Sequence, residues 1–227
     1  MIGFLQTRCF LCHLSLRLSQ HGICSYCLKQ LTAIDCPCLL CSLPSFSTPV
    51  CYSCRHKSPL WSILMAVTAY REPLKQLVHQ LKFNRRIELS YLFGRLLLLR
   101  WLDYRRIQGL QKPDLVLSVP LSQRRQAQRG FNQTALMAKL VAYWLDCDYS
   151  QDQLIRKKLT PDQKYLSARD RRANLHNAFD CQDLLSGKRI LLVDDIVTTG
   201  STIDEICQVL ARNGAKDIQV ICLCRTL

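Results

Sequence analysis

The sequence predicts an α/β protein in which a parallel sheet carries helices on both faces, preceded by a small cysteine-rich module. From Trp61 onward, short apolar runs typical of buried strands alternate with apolar residues at helical spacing. Before Trp61, cysteines are concentrated in a segment that is too short to bury a large core. We therefore predict two domains, residues 1–58 and residues 59–227.

Composition limits the classes of protein to consider. The 227 residues, 48% of them hydrophobic, suffice for a sizeable core and argue against disorder. The formal net charge of +14 favours polyanionic partners. The N-terminus lacks a signal-peptide pattern, and the most apolar helical stretch, YLFGRLLLLRWL, contains two arginines and is too short to span a bilayer. We expect a cytoplasmic protein with no membrane insertion.

Nine of the 14 cysteines lie in the first 54 residues, and eight of these form Cys-x-x-Cys pairs. Two such pairs can surround one zinc ion with four thiolates, and zinc is the metal expected in a reducing compartment. Sequential pairing is the simplest arrangement, while a cross-braced pairing and an iron–sulfur cluster are alternatives. Cys36 falls outside the spacing. The predicted ligands of two structural zinc ions are Cys9, Cys12, Cys24, Cys27, Cys38, Cys41, Cys51 and Cys54.

The purpose of this module stays open between a docking site for nucleic acid or protein and a structural cap. Its metal content also affects the charge. Eight thiolates would remove eight positive charges and two zinc ions would return four, which leaves a net charge of about +10.

The larger domain is predicted to begin with a strand over residues 61–70 and a helix that starts at Pro73. A second helix is predicted over residues 87–104, and a buried strand over residues 114–119. The stretch SQRRQAQRGFNQ that follows is predicted as an arginine-containing loop, and a helix begins after it.

Further along, a short strand is predicted over residues 153–156. Residues 156–172 contain seven Lys or Arg and two Asp with few apolar residues, so a mobile loop is expected there. Strands are predicted near residues 178–181 and over residues 216–225.

Residues 189–214 form the stretch with the clearest chemistry. Four apolar residues precede Asp194 and Asp195, a hydroxyl-rich loop follows, and apolar residues then recur at helical spacing. A loop at a helix N-terminus presents free N–H groups and the positive end of the helix dipole to a phosphate. The aspartates could accept hydrogen bonds from a diol or hold Mg²⁺ through water. A ribose 5-phosphate combines both groups. A Walker-B strand is disfavoured because the chain lacks Gly-x4-Gly-Lys-Ser/Thr.

This stretch resembles the phosphoribosyl-pyrophosphate (PRPP) binding motif of type I phosphoribosyltransferases, in which four apolar residues, two acids and two further residues precede TTGST. With the cysteine pairs and the segments HQLKF, SVPLSQRRQAQRGFNQ and LSARDRRANLHNAF, it makes nearly the whole chain similar to the ComF/GntX family of competence-associated proteins. The resemblance implies a type I phosphoribosyltransferase fold behind an N-terminal double zinc ribbon. It also implies a role in handling incoming single-stranded DNA.

The resemblance implies roles for individual residues as well. Asp194 and Asp195 would hold the ribose diol and Mg²⁺, and residues 157–173 would form a loop that closes over the site. Closure would bring cationic side chains to the leaving pyrophosphate, namely Lys157, Lys158, Arg169, Arg171 and Arg172. The 5-phosphate would lie against Thr198, Thr199, Gly200, Ser201 and Thr202. The pyrophosphate loop would consist of Ser118, Val119, Pro120 and Leu121.

Two classes of function fit these features. One is a Mg²⁺-dependent phosphoribosyltransferase that displaces pyrophosphate from PRPP with a small nucleobase-like or amine acceptor; no general base is evident. The other is a competence or DNA-utilisation protein that binds PRPP and single-stranded DNA, with DNA-processing or helicase proteins as partners. A repressor is disfavoured because no helix-turn-helix is apparent.

Overall fold

A computed structural model describes residues 8–18, 22–31, 33–157 and 177–227. Its centre is a five-stranded parallel sheet with the order β1-β7-β6-β2-β3, and β4 and β5 form a separate antiparallel pair. The strands are β1 (Ile63–Ala69), β2 (Leu115–Ser118), β3 (Asp148–Ser150), β4 (Leu154–Arg156), β5 (Phe179–Cys181), β6 (Arg189–Val197) and β7 (Asp217–Arg225). The described helices are α1 (Ser25–Gln30), α2 (Tyr52–His56), α3 (Leu74–Phe83), α4 (Leu89–Gln108), α5 (Gln123–Arg129), α6 (Gln133–Leu145) and α7 (Ser201–Arg212).

The sheet is buried on both faces, which explains why its central strands contain runs of consecutive apolar residues, 190–193 in β6 and 220–224 in β7. On one face, α3, α4 and α6 pack against the sheet, with Phe93 and Trp101 among the largest buried side chains. On the other face, α7 contributes Ile203, Ile206 and Leu210 to a second core. The predicted α/β architecture with helices on both faces is therefore confirmed.

Close packing between α4 and α6 depends on Gly94. A Cβ atom at this position would lie 3.1 Å from Cβ of Leu140, closer than most real contacts of this kind. The absence of a side chain lets the two helices approach, and α4 then ends at Gly109, which adopts a left-handed conformation.

The cysteine-rich segment is continuous with the larger core in its first half. Phe10 and Ile23 are buried in the same apolar cluster as α4. Each half of the segment closes on itself through one antiparallel bridge, Arg8 with Ser15 and Pro37 with Pro44. The boundary near residue 58 stays a prediction.

Three local predictions are corrected by the structure. Residues 123–129 are a helix, not a loop, because Ser122 accepts a hydrogen bond from the Arg125 N–H and Gly130 ends the turn in a left-handed conformation. Strand β3 was not predicted, and it pairs with β2 at the edge of the sheet. Strand β6 continues to Val197, so the two aspartates lie within the strand and not beyond it.

The predicted closing loop lies almost wholly outside the described residues, as do Lys158, Arg169, Arg171 and Arg172. Strands β4 and β5 flank it on either side. Among the described residues, no helix has the length and apolar character needed to cross a membrane.

Candidate phosphate and metal sites

The carboxylate of Asp195 is held between two helices on one face of the sheet. Nζ of Lys82 in α3 lies 2.9 Å from its Oδ1, and Nε2 of Gln133 in α6 donates to its Oδ2 at 2.6 Å. The side chains of Lys82 and Asp195 are only 14% and 9% exposed. Burial makes the Coulomb attraction between these two charges stronger than in a surface pair. It also means that removal of either side chain would leave the other charge buried without a partner.

Lys82 and Gln133 are not among the predicted site residues. Both lie in segments quoted for the family resemblance, Lys82 in HQLKF and Gln133 at the end of SQRRQAQRGFNQ. A lysine at the last turn of a predicted helix has no local signal that sets it apart from surface lysines. Gln133 is 2% exposed, and its Oε1 finds no hydrogen-bond partner in the described part of the chain. That oxygen is a buried acceptor close to Asp195 whose hydrogen-bonding capacity the described residues leave unused.

Asp194 and Asp195 differ in their electrostatic surroundings. Burial raises the pKa of Asp194 to about 7, and the neighbouring charge of Asp195 adds to this shift. Burial also opposes ionisation of Asp195, but the Lys82 ammonium and the hydrogen bonds from Lys82 and Gln133 leave the pKa of Asp195 below its usual value. Near neutral pH, Asp195 is therefore the ionised member of the pair and Asp194 the member that titrates.

The hydroxyl-rich loop joins the end of β6 to the N-terminus of α7. Gly200 takes the cap position with φ of 83°, a conformation that other residues rarely adopt, while a Cβ there would meet nothing within 4 Å. Oγ1 of Thr199 lies 2.9 Å from Oγ of Ser201, so the hydroxyls point into one small region. Thr198 and Thr199 are exposed. The loop thus presents hydroxyls and the first N–H groups of a 12-residue helix to solvent, which suits a phosphate.

Residues 118–121 leave the sheet beside the acidic pair. Ser118 pairs with Val193 across β2 and β6, and the Val119 N–H donates to the Val193 carbonyl at 3.0 Å. The side chains of Ser118 and Val119 are buried, whereas Pro120 and Leu121 are partly exposed. This turn and the hydroxyl loop follow the carboxyl ends of the adjacent parallel strands β2 and β6, and the acids lie in the last residues of β6. Carboxyl ends of strands are the usual position for ligands in such sheets.

Lys157, which was predicted for the closing loop, and Arg129, which was not assigned a role, both have defined partners. Nζ of Lys157 lies 2.6 Å from Oδ2 of Asp180, a pair that joins the ends of β4 and β5. The Arg129 guanidinium lies 5.5 Å from the Phe83 ring centroid, and its charge contributes to the lowered pKa of Asp195.

The eight paired cysteines form two clusters, each with ligand atoms within 4.8 Å of one another. The first cluster contains Cys9, Cys12, Cys24 and Cys27, and the second contains Cys38, Cys41, Cys51 and Cys54. This is the sequential grouping that the spacing favoured. Sγ atoms of Cys12 and Cys24 are 3.7 Å apart, as are those of Cys41 and Cys51.

The sulfur separations match a metal site better than disulfides. A tetrahedral zinc site with Zn–S bonds of about 2.3 Å places its sulfurs about 3.8 Å apart. Hydrogen bonds from backbone N–H groups lower the pKa of Cys9 and Cys38 to about 7 against the effect of burial, whereas burial raises the pKa of Cys27 and Cys54. The donor set and its geometry therefore fit Zn²⁺, and each cluster could hold one ion.

Comparison with known proteins places the fold in a class. The phosphoribosyl transferase domain family matches residues 137–227, a span that includes the acidic pair and the hydroxyl loop. A purine phosphoribosyltransferase structure from Pyrococcus horikoshii Ot3 is 18% identical, with 61% of this chain and 73% of that chain covered and a TM-score of 0.36. That overlap is too limited to carry an argument. The strand order, the site and the family match define a phosphoribosyltransferase-like protein with two Cys₄ clusters.

Full-length relatives identify the family within this class. The DNA utilization protein YhgH of Escherichia coli (strain K12) is 46% identical over 220 residues, which cover 96% of this chain and 97% of that protein. Competence protein F of Haemophilus influenzae is 35% identical over 229 residues, which cover 99% of this chain and all of that protein. Competence protein ComFC of Streptococcus pneumoniae is 29% identical over 164 residues, which cover 70% of this chain and 67% of that protein. The chain belongs to the ComF/GntX family of competence and DNA-utilisation proteins.

Proposed function

We propose that this protein binds PRPP with Mg²⁺ at the carboxyl edge of the sheet and acts on internalised single-stranded DNA in the cytoplasm. The ligand proposal rests on the position of the acidic pair in β6. Only Ile196 and Val197 separate these acids from the hydroxyl loop at the N-terminus of α7. The names of the relatives and the basic charge of this chain support the DNA proposal. DNA-processing or helicase proteins are the partners that we expect for such a role.

Each part of the ligand has a proposed position. The 5-phosphate would accept hydrogen bonds from the N–H groups and hydroxyls of residues 198–202. The ribose diol would donate to Asp194 and Asp195, near Oε1 of Gln133, which has no hydrogen-bond partner among the described residues. The pyrophosphate would lie against residues 118–121. The ion pair with Lys82 keeps Asp195 ionised, so Asp195 would accept hydrogen bonds from the ligand and would not donate them.

If the protein turns PRPP over, the bond between the anomeric carbon and pyrophosphate breaks, and positive charge develops on the ribose. Asp194 and Asp195 would stabilise that charge. Lys157, Lys158 and Arg169 would stabilise the departing pyrophosphate when residues 157–173 close over it. Bound Mg²⁺ would add charge stabilisation for the pyrophosphate oxygens. A phosphoribosyltransferase with a small nucleobase-like or amine acceptor is the second candidate, and the match to the phosphoribosyl transferase domain favours it.

The ligand proposal is tested by calorimetry with PRPP and Mg²⁺. We expect binding by the parent protein and a loss of at least about tenfold in affinity for the double variant Asp194→Asn, Asp195→Asn, because hydrogen bonds to charged groups contribute about 1.5–3 kcal/mol. Unchanged affinity would assign the acids another role. Pyrophosphate release from PRPP, measured with and without single-stranded DNA, separates the two candidates: release that requires a small acceptor and ignores DNA would favour the enzyme.

A further inference from the structure

The second Cys₄ cluster is attached to the larger domain through three consecutive carbonyl groups. The Leu39 carbonyl accepts from the Leu64 N–H at 2.9 Å, and the Leu40 carbonyl accepts from Nε1 of Trp61 at 2.6 Å. The Cys41 carbonyl accepts from Nε of Arg225 at 2.9 Å. Since Cys41 is itself a predicted metal ligand, these bonds depend on the turn that the metal would hold.

Arg225 connects this turn to the phosphate loop. It is the last residue of β7 and is 5% exposed. While its Nε donates to Cys41, its Nη1 donates to the carbonyls of Val197 and Thr198. Val197 ends β6, and Thr198 is the first residue of the hydroxyl-rich loop. One rigid guanidinium therefore spans from a zinc-ligand backbone to the start of the loop that faces the phosphate.

A second contact fixes the same point. The Thr226 N–H, one residue beyond Arg225, donates to the Val197 carbonyl at 3.0 Å. Arg225 Nη1 also donates to the Thr226 carbonyl, which closes a small ring of bonds around the end of β6. The backbone that leads into Thr198 is thus held from the side of β7, and its position depends on where Arg225 lies.

We infer that Arg225 is a positioning residue that couples metal binding in the second cluster to ligand binding at residues 198–202. With the metal in place, the Cys38–Cys41 turn fixes the guanidinium, and the guanidinium fixes the loop in the form that accepts a phosphate. When the metal is lost, the turn relaxes and the loop loses this support. The inference rests on the proposed phosphate site.

The first cluster provides an internal contrast. Its residues pack against α4: a Cβ at Gly22 would lie 3.2 Å from Cβ of Leu92, and the Arg86 guanidinium lies 5.3 Å from the Phe10 ring centroid. These contacts are made with α4 and with the segment just before it, and none of them involves Arg225 or the hydroxyl loop. Coupling to the phosphate site is therefore assigned to the second cluster alone.

The first experiment compares variants of the full-length, zinc-loaded chain. We expect two zinc ions in the parent and in Arg225→Lys, since Arg225 is not a metal ligand. A lysine retains the charge but cannot donate from two nitrogens in a fixed plane, so PRPP affinity should fall about tenfold. Arg100→Lys is the matched control, because Arg100 donates to the Val67 carbonyl at 2.6 Å without contacting the loop. Its affinity should stay within about twofold of the parent.

The second experiment needs no variant to establish coupling. Linkage is reciprocal, so PRPP should raise the equilibrium affinity for one of the two zinc ions, measured by competition with a chelator, by about the same factor by which that zinc ion raises PRPP affinity. This gain in zinc affinity should disappear in Arg225→Lys. It should also be absent in Cys54→Ser, which lacks the second site and so identifies the ion concerned.

The outcomes separate this inference from the function proposed above. Failure of the parent to bind PRPP would overturn the proposed function. Binding by the parent with unchanged affinity in Arg225→Lys, or equal release of both zinc ions with and without PRPP, would overturn the coupling and leave the proposed function intact.

Discussion

Lys82 neutralises a carboxylate that is almost completely removed from water. We predict that Lys82→Met destabilises the protein by about 3 kcal/mol at pH 8, because it leaves Asp195 buried without its cation. The pKa of Asp195 should then rise, so the loss of stability should shrink as the pH falls toward 5, where the carboxyl takes up a proton. Urea denaturation at the two pH values measures both effects.

Lys112→Met is the matched control for this change. Nζ of Lys112 lies 3.6 Å from Oδ2 of Asp146, but both side chains are largely exposed. Such a surface pair should contribute less than about 1 kcal/mol at either pH. Equal losses in the two variants would show that the Lys82 pair is no stronger than a solvated one.

Asp194 makes a separate prediction about pH. Its folded-state pKa of about 7 lies above the unfolded value of about 3.9, so the folded state binds the proton more tightly and stability falls as the pH rises from about 4 to 7. Asp194→Asn removes this dependence. We expect the variant and the parent to have the same stability near pH 4. At pH 8 the variant should be more stable by about 1.4 kcal/mol for each unit by which folding raises the pKa of Asp194, and thermal unfolding at both pH values measures the difference. A difference between the two proteins that is constant across this range would show that Asp194 does not titrate there.

The sequence predicts best the elements whose apolar residues follow a regular pattern, either consecutive in a buried strand or at helical spacing. Strands β1, β6 and β7 each contain a run of at least four consecutive apolar residues because both faces of the sheet are covered, and α7 has apolar residues at helical spacing. Helix α5 contains no buried residue, so it has no apolar stripe, and only its two caps mark it. Strand β3 is only three residues long and has a single apolar side chain, Tyr149, so pairing with β2 defines it more than its own sequence does.

The candidate site also contains one part that the sequence predicts and one part that it does not. The acids and the hydroxyl loop are contiguous in the chain and form a recognisable motif. Their partners are distant: Lys82 and Gln133 lie 113 and 62 residues before Asp195 in the chain. Only the packing of α3 and α6 on one face of the sheet brings them to Asp195. The spacing of the cysteines predicts the sequential grouping, and each cluster is indeed built from two neighbouring Cys-x-x-Cys pairs.

At the level of elements, Gly94 sets the distance between α4 and α6. We predict that Gly94→Leu costs about 1–3 kcal/mol, because the new side chain would meet Leu140 and Trp144 in a filled interface. The gain in helix propensity of up to about 1 kcal/mol is smaller than this clash. Chemical denaturation measures the change. Asp103→Leu, at an exposed position of the same helix, is the control and should change stability by less than about 0.5 kcal/mol. A neutral Gly94→Leu would mean that α6 moves aside freely.

Over the whole molecule, positively charged side chains lie both near the ligand edge of the sheet and far from it. Arg124 and Arg125 lie on α5, a surface helix that follows the 118–121 turn at the ligand edge of the sheet. Arg105 and Arg106 lie in the last turn of α4, which leads toward the start of β2 at the opposite edge. Paired removal of charge at these two places changes the net charge equally but alters different surfaces.

We predict that the protein binds single-stranded DNA mainly through charge at the ligand edge. Each phosphate contact on a single strand lowers log affinity by about 0.7 per unit of log salt, so four to six contacts give a slope of roughly −3 to −4. The double variant Arg124→Ala, Arg125→Ala should weaken all sequences alike and flatten the slope by about 1.4, whereas Arg105→Ala, Arg106→Ala should leave it unchanged. Fluorescence anisotropy across a salt series measures both slopes. Equal flattening in the two variants would indicate a response to net charge alone, and no binding at low salt would leave a small-molecule enzyme, because a polyanion held by counterion release binds most tightly there.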